Sequence, residues 1–215
     1  MARRIVRLTL DHLEAFDVPC RSCLFWQLDP VRRERVTDAC AEKDAWISEV
    51  LREWGSCGRV ALVDEVPVGY LVYAPAAFVP GAAGFPTAPP SSDAVLLTTA
   101  YVEPAERGGG LGRMLVQGMA SDLIRRGGIG AVEAFGDATS TGAHCTVPVD
   151  FLTSVGFKTH RAHPTSPRLR MDLRSAVTWR DEVEAAIERI VGAVRPATRP
   201  EATRGPTPGA ARASR

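Results

Sequence analysis

The chain has 215 residues, 45% of them hydrophobic, and its formal net charge at pH 7 is only +1. This length fits one domain with short extensions, and the apolar fraction is enough for a sizeable core. The near-neutral charge argues against a nucleic-acid or anionic-membrane partner, and no apolar run approaches the roughly 20 residues that span a bilayer. Residues 1–16 contain no uninterrupted apolar segment, so a cytoplasmic location without a signal peptide is expected.

Short strands and one long helix are predicted over the first third of the chain. Residues 4–10 alternate between two sets of side chains, which indicates a strand. Residues 11–36 contain two prolines and suit short helices or loops. Thr37 is the expected N-cap of a helix over residues 38–54, whose apolar side chains recur at helical spacing. A hairpin over residues 59–74 follows.

A central strand, a glycine-rich turn and a second long helix are predicted in the middle of the chain. Residues 75–92 are rich in Pro, Gly, Ala and Ser, so an exposed loop is expected there. Residues 93–102 form an apolar run with many β-branched side chains, which is typical of a central strand. A glycine-rich loop, 107–112, leads into a helix over residues 114–126, and a strand over residues 129–135 follows.

The remaining elements are shorter. A helix is expected over residues 148–155, and two strands are expected near residues 157–163 and 168–173. An amphipathic helix over residues 176–193 comes next. The tail, 194–215, is basic and rich in Pro, Ala and Thr, and it is predicted to be disordered. This order of elements implies an α/β (α+β) domain with one mixed sheet.

An anion-binding turn is indicated between the central strand and the helix that follows it. The first N–H groups of a helix have no partner within it, and the helix dipole makes that end positive, so it suits a phosphate. Arg107 and Arg113 add formal positive charge. Four glycines let the backbone approach an anion with no Cβ in the way: Gly108, Gly109, Gly110 and Gly112. On the glycines alone, a tight turn without a ligand is the alternative.

Two common nucleotide-binding motifs do not fit this turn. A P-loop requires Gly-Lys followed by Ser or Thr, whereas Met114 follows Arg113 here. The dinucleotide pattern G-x-G-x-x-G fits only loosely, and no βαβ unit opens the chain. A phosphate-binding role for these glycines therefore requires a different pattern.

The spacing Arg107-x-x-Gly110-x-Gly112 resembles the R/Q-x-x-G-x-G/A signature of the GNAT superfamily of acetyl-CoA-dependent N-acetyltransferases. In that family the amides of the loop hold the pyrophosphate of coenzyme A. The surroundings of the motif agree, since a predicted strand ends at Val102 before it and a long helix follows it.

A second segment extends the resemblance. Gly156-Phe157 follows a short predicted helix, which resembles the family's F-Y-x-x-x-G-F segment. The resemblance covers about residues 4–173 and implies one GNAT-like domain over residues 1–175. The implied fold is a mixed, mostly antiparallel sheet flanked by helices, in which the central strands splay apart.

The resemblance also implies acetyl-CoA as cosubstrate and no metal. Backbone groups at the end of the central strand are expected to pair with the pantetheine arm, and they belong to Ala100, Tyr101 and Val102. The turn is expected to surround the pyrophosphate through Arg107, Gly108, Gly109, Gly110, Leu111, Gly112 and Arg113. The helix over residues 148–155 is expected to flank the thioester. The implied activity is direct transfer of the acetyl group to an amine of a small molecule or a protein.

The sequence points to the cosubstrate site more directly than to catalytic groups. Leu152 stands where many GNAT enzymes have a tyrosine acid, and it is expected to be a core residue. The thiolate can leave unaided, since thiols have a pKa near 8.5, and Cys145, His144 or a water are alternative acids. Some relatives have a glutamate base near the start of the central strand, so the resemblance implies Asp93 as the candidate base, with a solvated loop carboxylate as the alternative. Thr98 is the candidate for holding a water, with an ordinary strand residue as the alternative.

Five cysteines are spread along the chain. Cys20-x-x-Cys23 is compatible with a redox pair or with half of a metal site, although a zinc site needs about four ligands and no second CxxC is present. Further ligands are available only if folding gathers them: Cys40, Cys57, His144 and Cys145. Buried free thiols are the favoured interpretation.

Two other functions are compatible with these features. Leu152 at the acid position suggests a catalytically silent acyl-CoA-binding sensor or interaction module on the same fold. Cys20 and Cys23 suggest a metal or redox protein. The sequence fixes neither the acetyl acceptor nor the oligomeric state, and a homodimer is compatible with it.

Overall fold

The computed structural model describes residues 2–139 and 145–173. The predicted helix 176–193 and tail 194–215 lie outside these ranges, so both remain predictions. The described strands are β1 Arg3–Arg7, β2 Gly58–Val63, β3 Val66–Pro75, β4 Ala94–Val102, β5 Ala131–Asp137, β6 Val147–Pro148, β7 Lys158–Arg161 and β8 Arg168–Asp172. The described α-helices are α1 Leu10–Glu14, α2 Pro30–Arg33, α3 Ala39–Trp54, α4 Leu111–Arg126 and α5 Val149–Ser154. None of these helices is both long enough and apolar enough to cross a bilayer.

The strands form one open sheet in the order β1-β2-β3-β4-β5-β8-β7, and β6 pairs with β5 beside this path. The β4–β5 and β5–β6 pairs are parallel, whereas the other neighbouring strands are antiparallel. The predicted fold class, a mixed and mostly antiparallel sheet flanked by helices, is therefore confirmed. The two-residue strand β6 was not predicted from the sequence, because two residues are too few for a periodicity.

Helices cover both faces of the sheet. Buried side chains of α4 pack on one face, and those of α1 and α3 pack on the other. Along β4, Val95 and Leu97 belong to the core under α4, and Leu96 belongs to the core under α3. This alternation is the ordinary period of a strand. Because β4 is covered on both faces, its sequence is a continuous apolar run.

β4 carries a bulge at Thr98. Val72 of β3 pairs with Thr99 and Tyr73 pairs with Leu97, so Thr98 has no residue opposite to it. Its side chain is fully buried, and its hydroxyl donates a hydrogen bond of 3.1 Å to the carbonyl of Val72. Bulges bend a strand and disturb the ladder locally. The Thr98 hydroxyl therefore satisfies a backbone acceptor where the ladder is irregular.

β4 and β5 separate after three paired positions. The paired residues are Ala94 with Ala131, Val95 with Val132, and Leu96 with Glu133. Beyond this point β4 continues to pair with β3 as far as Val102, whereas β5 pairs with β6 at Gly136 and Asp137. Over the described ranges, no strand pairs with the β5-facing edge of β4 between Leu97 and Val102. The sheet therefore contains a fork with one open edge.

Some details differ from the predicted elements. Asp38, not Thr37, is the N-cap of α3, because its carboxylate accepts a hydrogen bond of 3.0 Å from the N–H of Ala41. The segment 75–92 is not simply an exposed loop, since it forms two 3-10 helices and buries Val79 and other small side chains. Its apolar residues supply buried contacts that its composition alone did not reveal.

The bulge yields a test of the role of Thr98. Thr98→Val keeps the β-branched shape but leaves the Val72 carbonyl without its hydroxyl donor, so it should lower the free energy of unfolding by about 1–2 kcal/mol. Urea unfolding measures the change. Thr99→Val is the matched control, because Thr99 is the neighbouring buried threonine and the described structure shows no hydrogen bond from its hydroxyl. Equal losses in the two variants would contradict a structural role for the Thr98 hydroxyl.

Candidate functional site

The chain turns through glycines between the open end of β4 and the start of α4. After Val102, a 3-10 helix over Pro104–Glu106 precedes Arg107. Gly108 and Gly110 have φ angles of 81° and 83°, in the left-handed region that glycine adopts without strain. Gly110 is the N-cap of α4. These positive φ angles allow the chain to reverse and enter the helix within a few residues.

The start of α4 is open to a ligand. The N–H groups of the first helical residues have no acceptor within a helix, and no side chain among the described residues caps this end. A Cβ added to Gly108 or Gly110 would meet no atom within 4 Å, and both residues are exposed. The helix dipole gives this end a positive potential. The turn therefore has the features of an anion site.

The other two glycines of the motif have close neighbours. A Cβ on Gly112 would lie 2.7 Å from the ring of Phe151, so the missing side chain lets α5 pack against the first turn of α4. A Cβ on Gly109 would lie 3.1 Å from the guanidinium of Arg3. Leu111 is buried in the core, so its backbone is the part of it that a ligand in the turn can meet. Packing against α5 is therefore sufficient to explain why residue 112 is a glycine.

Three arginines surround the turn in different ways. The Nε of Arg107 donates to the carbonyl of Val102 at 2.9 Å, which ties this side chain to the end of β4. Arg113 donates to the carbonyl of Ser154 at 2.8 Å, at the end of α5. Arg3 of β1 donates to the carbonyl of Gly109 at 2.6 Å. Arg3 is a third cation at the turn, and its separation of 106 residues from Gly109 hid it from sequence reasoning.

The last residues of β4 present backbone groups at the open edge of the fork. Ala100, Tyr101 and Val102 pair with β3 on one side and with no described strand on the other. Their side chains alternate, since Ala100 and Val102 pack towards the core under α4 and Tyr101 packs towards the opposite core. Tyr101 lies beside Tyr70, with a ring-centroid distance of 5.9 Å. The edge therefore offers unpaired main-chain groups between two packed faces.

Asp93 lies at the paired end of β4, away from the glycine turn. Its carboxylate accepts two hydrogen bonds from the Arg170 guanidinium, at 2.9 and 2.7 Å. This hydrogen bonding holds the pKa of Asp93 below its ordinary value. A carboxylate with a lowered pKa is a weak proton acceptor at neutral pH. The geometry therefore argues for a structural ion pair and against the catalytic base suggested by sequence position.

The same arginine belongs to a buried network around Glu133. The Glu133 side chain is fully buried and accepts hydrogen bonds of 3.0 and 2.6 Å from the N–H and hydroxyl of Ser91. Arg168 and Arg170 form ion pairs with it at 3.3 and 3.4 Å. Arg168 also donates to the carbonyl of Pro89. Burial of a carboxylate requires such partners, and they occupy the closed end of the fork.

The surroundings of Thr98 and Leu152 indicate structural roles for both side chains. The Thr98 hydroxyl is already bonded to the Val72 carbonyl, which argues against its holding a water for catalysis. Leu152 is fully buried in the core under α4, as predicted from the sequence. It has no group that can donate a proton to a leaving thiolate. His144, one of the alternative acids, lies outside the described residues.

A small pocket lies on the α3 side of β4, where the fork is open. It is lined by Leu13, Cys20, Arg21, Lys43, Tyr70, Val72 and Thr99. Burial lowers the pKa of Lys43 to about 8 and raises the pKa of Tyr70 above its ordinary value. Arg21 pairs with Asp44 at 2.8 Å. The pocket thus brings a buried amine and a phenol close to the open edge.

Lys43 and Tyr70 were not predicted as site residues. Lys43 had a signal in the sequence, because it recurs at helical spacing with the apolar residues Trp46, Ile47 and Val50, which places it on the buried face of α3. A lysine on such a face needs a polar partner, and its Nζ donates to the carbonyl of Cys23 at 2.8 Å. Tyr70 had no comparable signal, since an aromatic residue in a buried strand is ordinary.

Folding gathers three of the cysteines beside this pocket. The Cys145 Sγ lies 3.1 Å from that of Cys23 and 4.0 Å from that of Cys20. Cys40 and Cys57 are elsewhere, one exposed and one buried. In the described ranges, no group of three or more His, Cys, Asp or Glu side chains is arranged to hold a metal ion. All five cysteines are free thiols in the structure, but only Cys57 is buried, so the expectation of buried thiols does not hold for Cys20 and Cys23, which are half-buried.

Solved structures share this fold. The PaiA N-acetyltransferase from Thermoplasma acidophilum, in complex with coenzyme A, superposes with a TM-score of 0.52 at 13% identity over 80% of this chain and 99% of that chain. An N-acetyltransferase from Staphylococcus aureus Mu50 gives 0.52 at 14% identity, over 80% and 99%. The aminoglycoside acetyltransferase AAC(6')-Ib, in complex with coenzyme A, gives 0.53 at 14% identity, over 80% and 95%. At these identities the similarity is one of fold.

The sequence comparison is independent of the fold. No curated protein sequence matches the chain. The sequence model of the Acetyltransferase (GNAT) family matches residues 21–145. This segment is more than half of the 215 residues, and it includes the open strand edge, the glycine turn and α4. The chain therefore belongs to the GNAT acetyltransferase family.

Proposed function

We propose that this protein transfers an acetyl group from acetyl-CoA to the amine of a small molecule or of a protein, by direct attack of the amine on the thioester. The observation that carries the proposal is the fork between β4 and β5, whose open edge leads straight into an uncapped helix start. An extended acyl-pantetheine arm and a diphosphate need those two features, one after the other. Membership of the GNAT acetyltransferase family supports the same activity.

Backbone groups of Ala100, Tyr101 and Val102 hold the pantetheine arm in this proposal. Their β5-facing edge has no described strand partner, so amide groups of a ligand can complete the ladder there. The helix α5 lies across the fork, since it follows β6 and packs on the start of α4 through Phe151. In this proposal α5 flanks the inner end of the arm, which is the position that the family resemblance implies. Coenzyme A bound to two of the solved structures with this fold supports the assignment.

The glycine turn holds the pyrophosphate in this proposal. Its ligands are the N–H groups of residues 108–113 and the positive end of α4. Open space above Gly108 and Gly110 supports the fit, because a phosphate can approach the backbone there. Arg107 and Arg3 add charge next to the turn, through guanidinium groups held by the Val102 and Gly109 carbonyls. Arg113 bonds to α5 and adds its charge at the first turn of α4.

The proposed acetyl transfer requires little from the protein beyond positioning the amine against the thioester. Placing an amine against the thioester converts the reaction into an intramolecular one, and amide donors at the open edge of β4 can polarise the carbonyl. The thiolate of coenzyme A leaves without a protein acid, because a thiol pKa near 8.5 makes it a good leaving group and Leu152 cannot donate a proton. Proton removal from the amine is assigned to water at the open edge, since Asp93 is engaged by Arg170. The acceptor lies on the α3 side of β4, beside the pocket that contains Lys43 and Thr99.

The first prediction from this proposal is acetyl transfer itself. The full chain incubated with acetyl-CoA and a panel of small amines and peptides should form free coenzyme A and one acetylated amine in equal amounts. Chromatography with mass spectrometry measures both products. Binding of acetyl-CoA without an acetylated product from any amine would contradict the enzyme and favour the silent sensor.

The second prediction tests the phosphate assignment. Gly110→Glu places a carboxylate against the proposed pyrophosphate and should weaken coenzyme A binding by on the order of 100-fold or more, measured by calorimetry. Gly55→Glu is the matched control, because Gly55 has φ 82° and ψ −6° and Gly110 has φ 83° and ψ 0°. Both variants carry the same backbone strain and the same added charge.

The control separates binding from folding in this experiment. Gly55→Glu should lower the melting temperature by a similar amount and leave coenzyme A affinity unchanged. If Gly110→Glu retained its affinity, or if both variants lost it together, the pyrophosphate would not lie at the start of α4.

The third prediction concerns the arginine of β1. Arg3→Gln removes a charge beside Gly109 and should weaken coenzyme A binding by about 3- to 10-fold, with the difference shrinking at high salt. Arg4→Gln is the control, since Arg4 is the next residue of the strand and pairs with Glu65 at 2.7 Å. Calorimetric titration at two salt concentrations measures both. An equal effect of the two substitutions would indicate net charge instead of a local contact.

A further inference from the structure

Three thiols and an amine converge on the α3 side of β4. The shortest approach joins Cys23 and Cys145, whose Sγ atoms lie 3.1 Å apart although 122 residues separate them in the chain. Cys20 is the third member, with its Sγ 4.0 Å from that of Cys145. All three residues are half-buried, so part of the surface of each is open to solvent. Acetyl transfer, as proposed above, uses none of these sulfurs.

Cys23 and Cys145 are both anchored, because the backbone carbonyl of each accepts a hydrogen bond from another side chain. The Nζ of Lys43 donates to the Cys23 carbonyl at 2.8 Å, and the indole N–H of Trp26 donates to the Cys145 carbonyl at 3.2 Å. Trp26 is itself buried and stacks on Phe85 with a centroid distance of 5.2 Å. The two sulfurs are therefore presented to each other by anchored backbone. An S–S bond is about 2.05 Å long, so closing it requires a movement of about 1 Å.

The surroundings favour a thiolate at Cys23. The Cys145 thiol, within hydrogen-bonding distance, lowers the pKa of Cys23 to about 6, and the Lys43 ammonium acts in the same direction. Burial opposes this effect, as Cys57 demonstrates, because burial alone raises the pKa of that thiol to about 12. The pKa of Cys145 is raised above its ordinary value by its two sulfur neighbours. The Cys145 thiol also lowers the pKa of Cys20 to about 7. The Cys23 Sγ lies nearer to the Cys145 Sγ, however, at 3.1 Å instead of 4.0 Å, which favours Cys23 as the attacking sulfur and Cys145 as its proton-bearing partner.

We propose that Cys23 and Cys145 form a thiol–disulfide exchange site, whose substrate class is a small-molecule disulfide. The Cys23 thiolate attacks one sulfur of the disulfide RSSR, which forms a mixed disulfide and expels RS⁻. The Cys145 thiol passes its proton to this RS⁻, and its sulfur attacks the Cys23 sulfur and expels the second RS⁻, which takes up a proton from water. Two protein thiols are oxidised by two electrons in total, and RSSR is reduced to two thiols. A dithiol reverses the reaction.

Reaction at low pH distinguishes this site from an ordinary thiol. At pH 6 about half of a thiol with pKa 6 is ionised, compared with about 0.3% of a thiol with pKa 8.5. The thiolate of lower pKa is also the weaker nucleophile, which reduces its rate advantage by about tenfold. Cys23 should therefore react about tenfold faster at pH 6 than an exposed ordinary thiol. The advantage should shrink as the pH rises, because ordinary thiols then ionise as well.

The experiment uses the reduced full chain and oxidised glutathione. After incubation at pH 6, remaining thiols are blocked with a maleimide, and peptides are mapped by mass spectrometry. The expected product is one internal disulfide that joins the Cys23 and Cys145 peptides and disappears with dithiothreitol. Cys40, which is exposed, is the internal reference for the rate. The assay needs no acetyl-CoA, so its outcome is independent of acetyl transfer.

Variants assign the individual sulfurs. Cys145→Ser should stop the reaction at a mixed disulfide of Cys23 with glutathione, whereas Cys23→Ser should abolish the internal disulfide. Cys20→Ser should leave the Cys23–Cys145 bond intact, because Cys20 lies farther from Cys145. A bond between Cys20 and either partner, or modification of Cys40 while Cys23 and Cys145 stay reduced, would overturn the proposal.

Discussion

The separation of β4 from β5 is the constraint on which the site depends. Two parallel strands in a sheet normally pair along their length, but here the ladder ends at Leu96 and Glu133. The bulge at Thr98 lies just beyond that point, and β6 takes the place beside β5 that the end of β4 leaves. Each strand keeps a partner on its other side, β3 for β4 and β8 for β5. The open edge of the fork leaves backbone groups for a ligand, and the chain then turns directly into α4.

The closed end of the fork is fixed by charge. Glu133, at the last paired position of β5, is fully buried and is held by Ser91, Arg168 and Arg170. Arg170 also binds Asp93 at the start of β4. Removing one member of such a network leaves a buried charge without its partner, which is strongly destabilising. These residues therefore tie β8 to β5 and to the start of β4 at the paired end of the fork, and the engagement of Asp93 by Arg170 argues against Asp93 as a base.

The end of β4 and its α3-facing side carry different chemical groups. At the end of the strand, the glycine turn and three arginines create a positive surface suited to a diphosphate. On the α3 side lie a buried lysine, a tyrosine and three sulfurs, which suit polar and nucleophilic reactions. Leu152 fills the core where a proton donor is common in the family. In the proposed acetyl transfer, catalysis therefore rests on positioning, and the thiols of the proposed exchange site take no part in it.

The sequence by itself determined the order of the elements, the family and the glycine turn, because helical and strand periodicities and left-handed glycines are local properties. The N-cap of α3 was misplaced by one residue, since it depends on a single side-chain hydrogen bond. The start of α4 at Leu111 was misplaced by a few residues, since the chain enters this helix through the left-handed Gly110 without a side-chain cap. Only the tertiary structure decided that Arg3 reaches Gly109, that Arg170 neutralises Asp93, and that Cys145 meets Cys23. Those contacts join residues 106, 77 and 122 positions apart, and no local pattern encodes them, because they form only when the folded chain brings distant segments together.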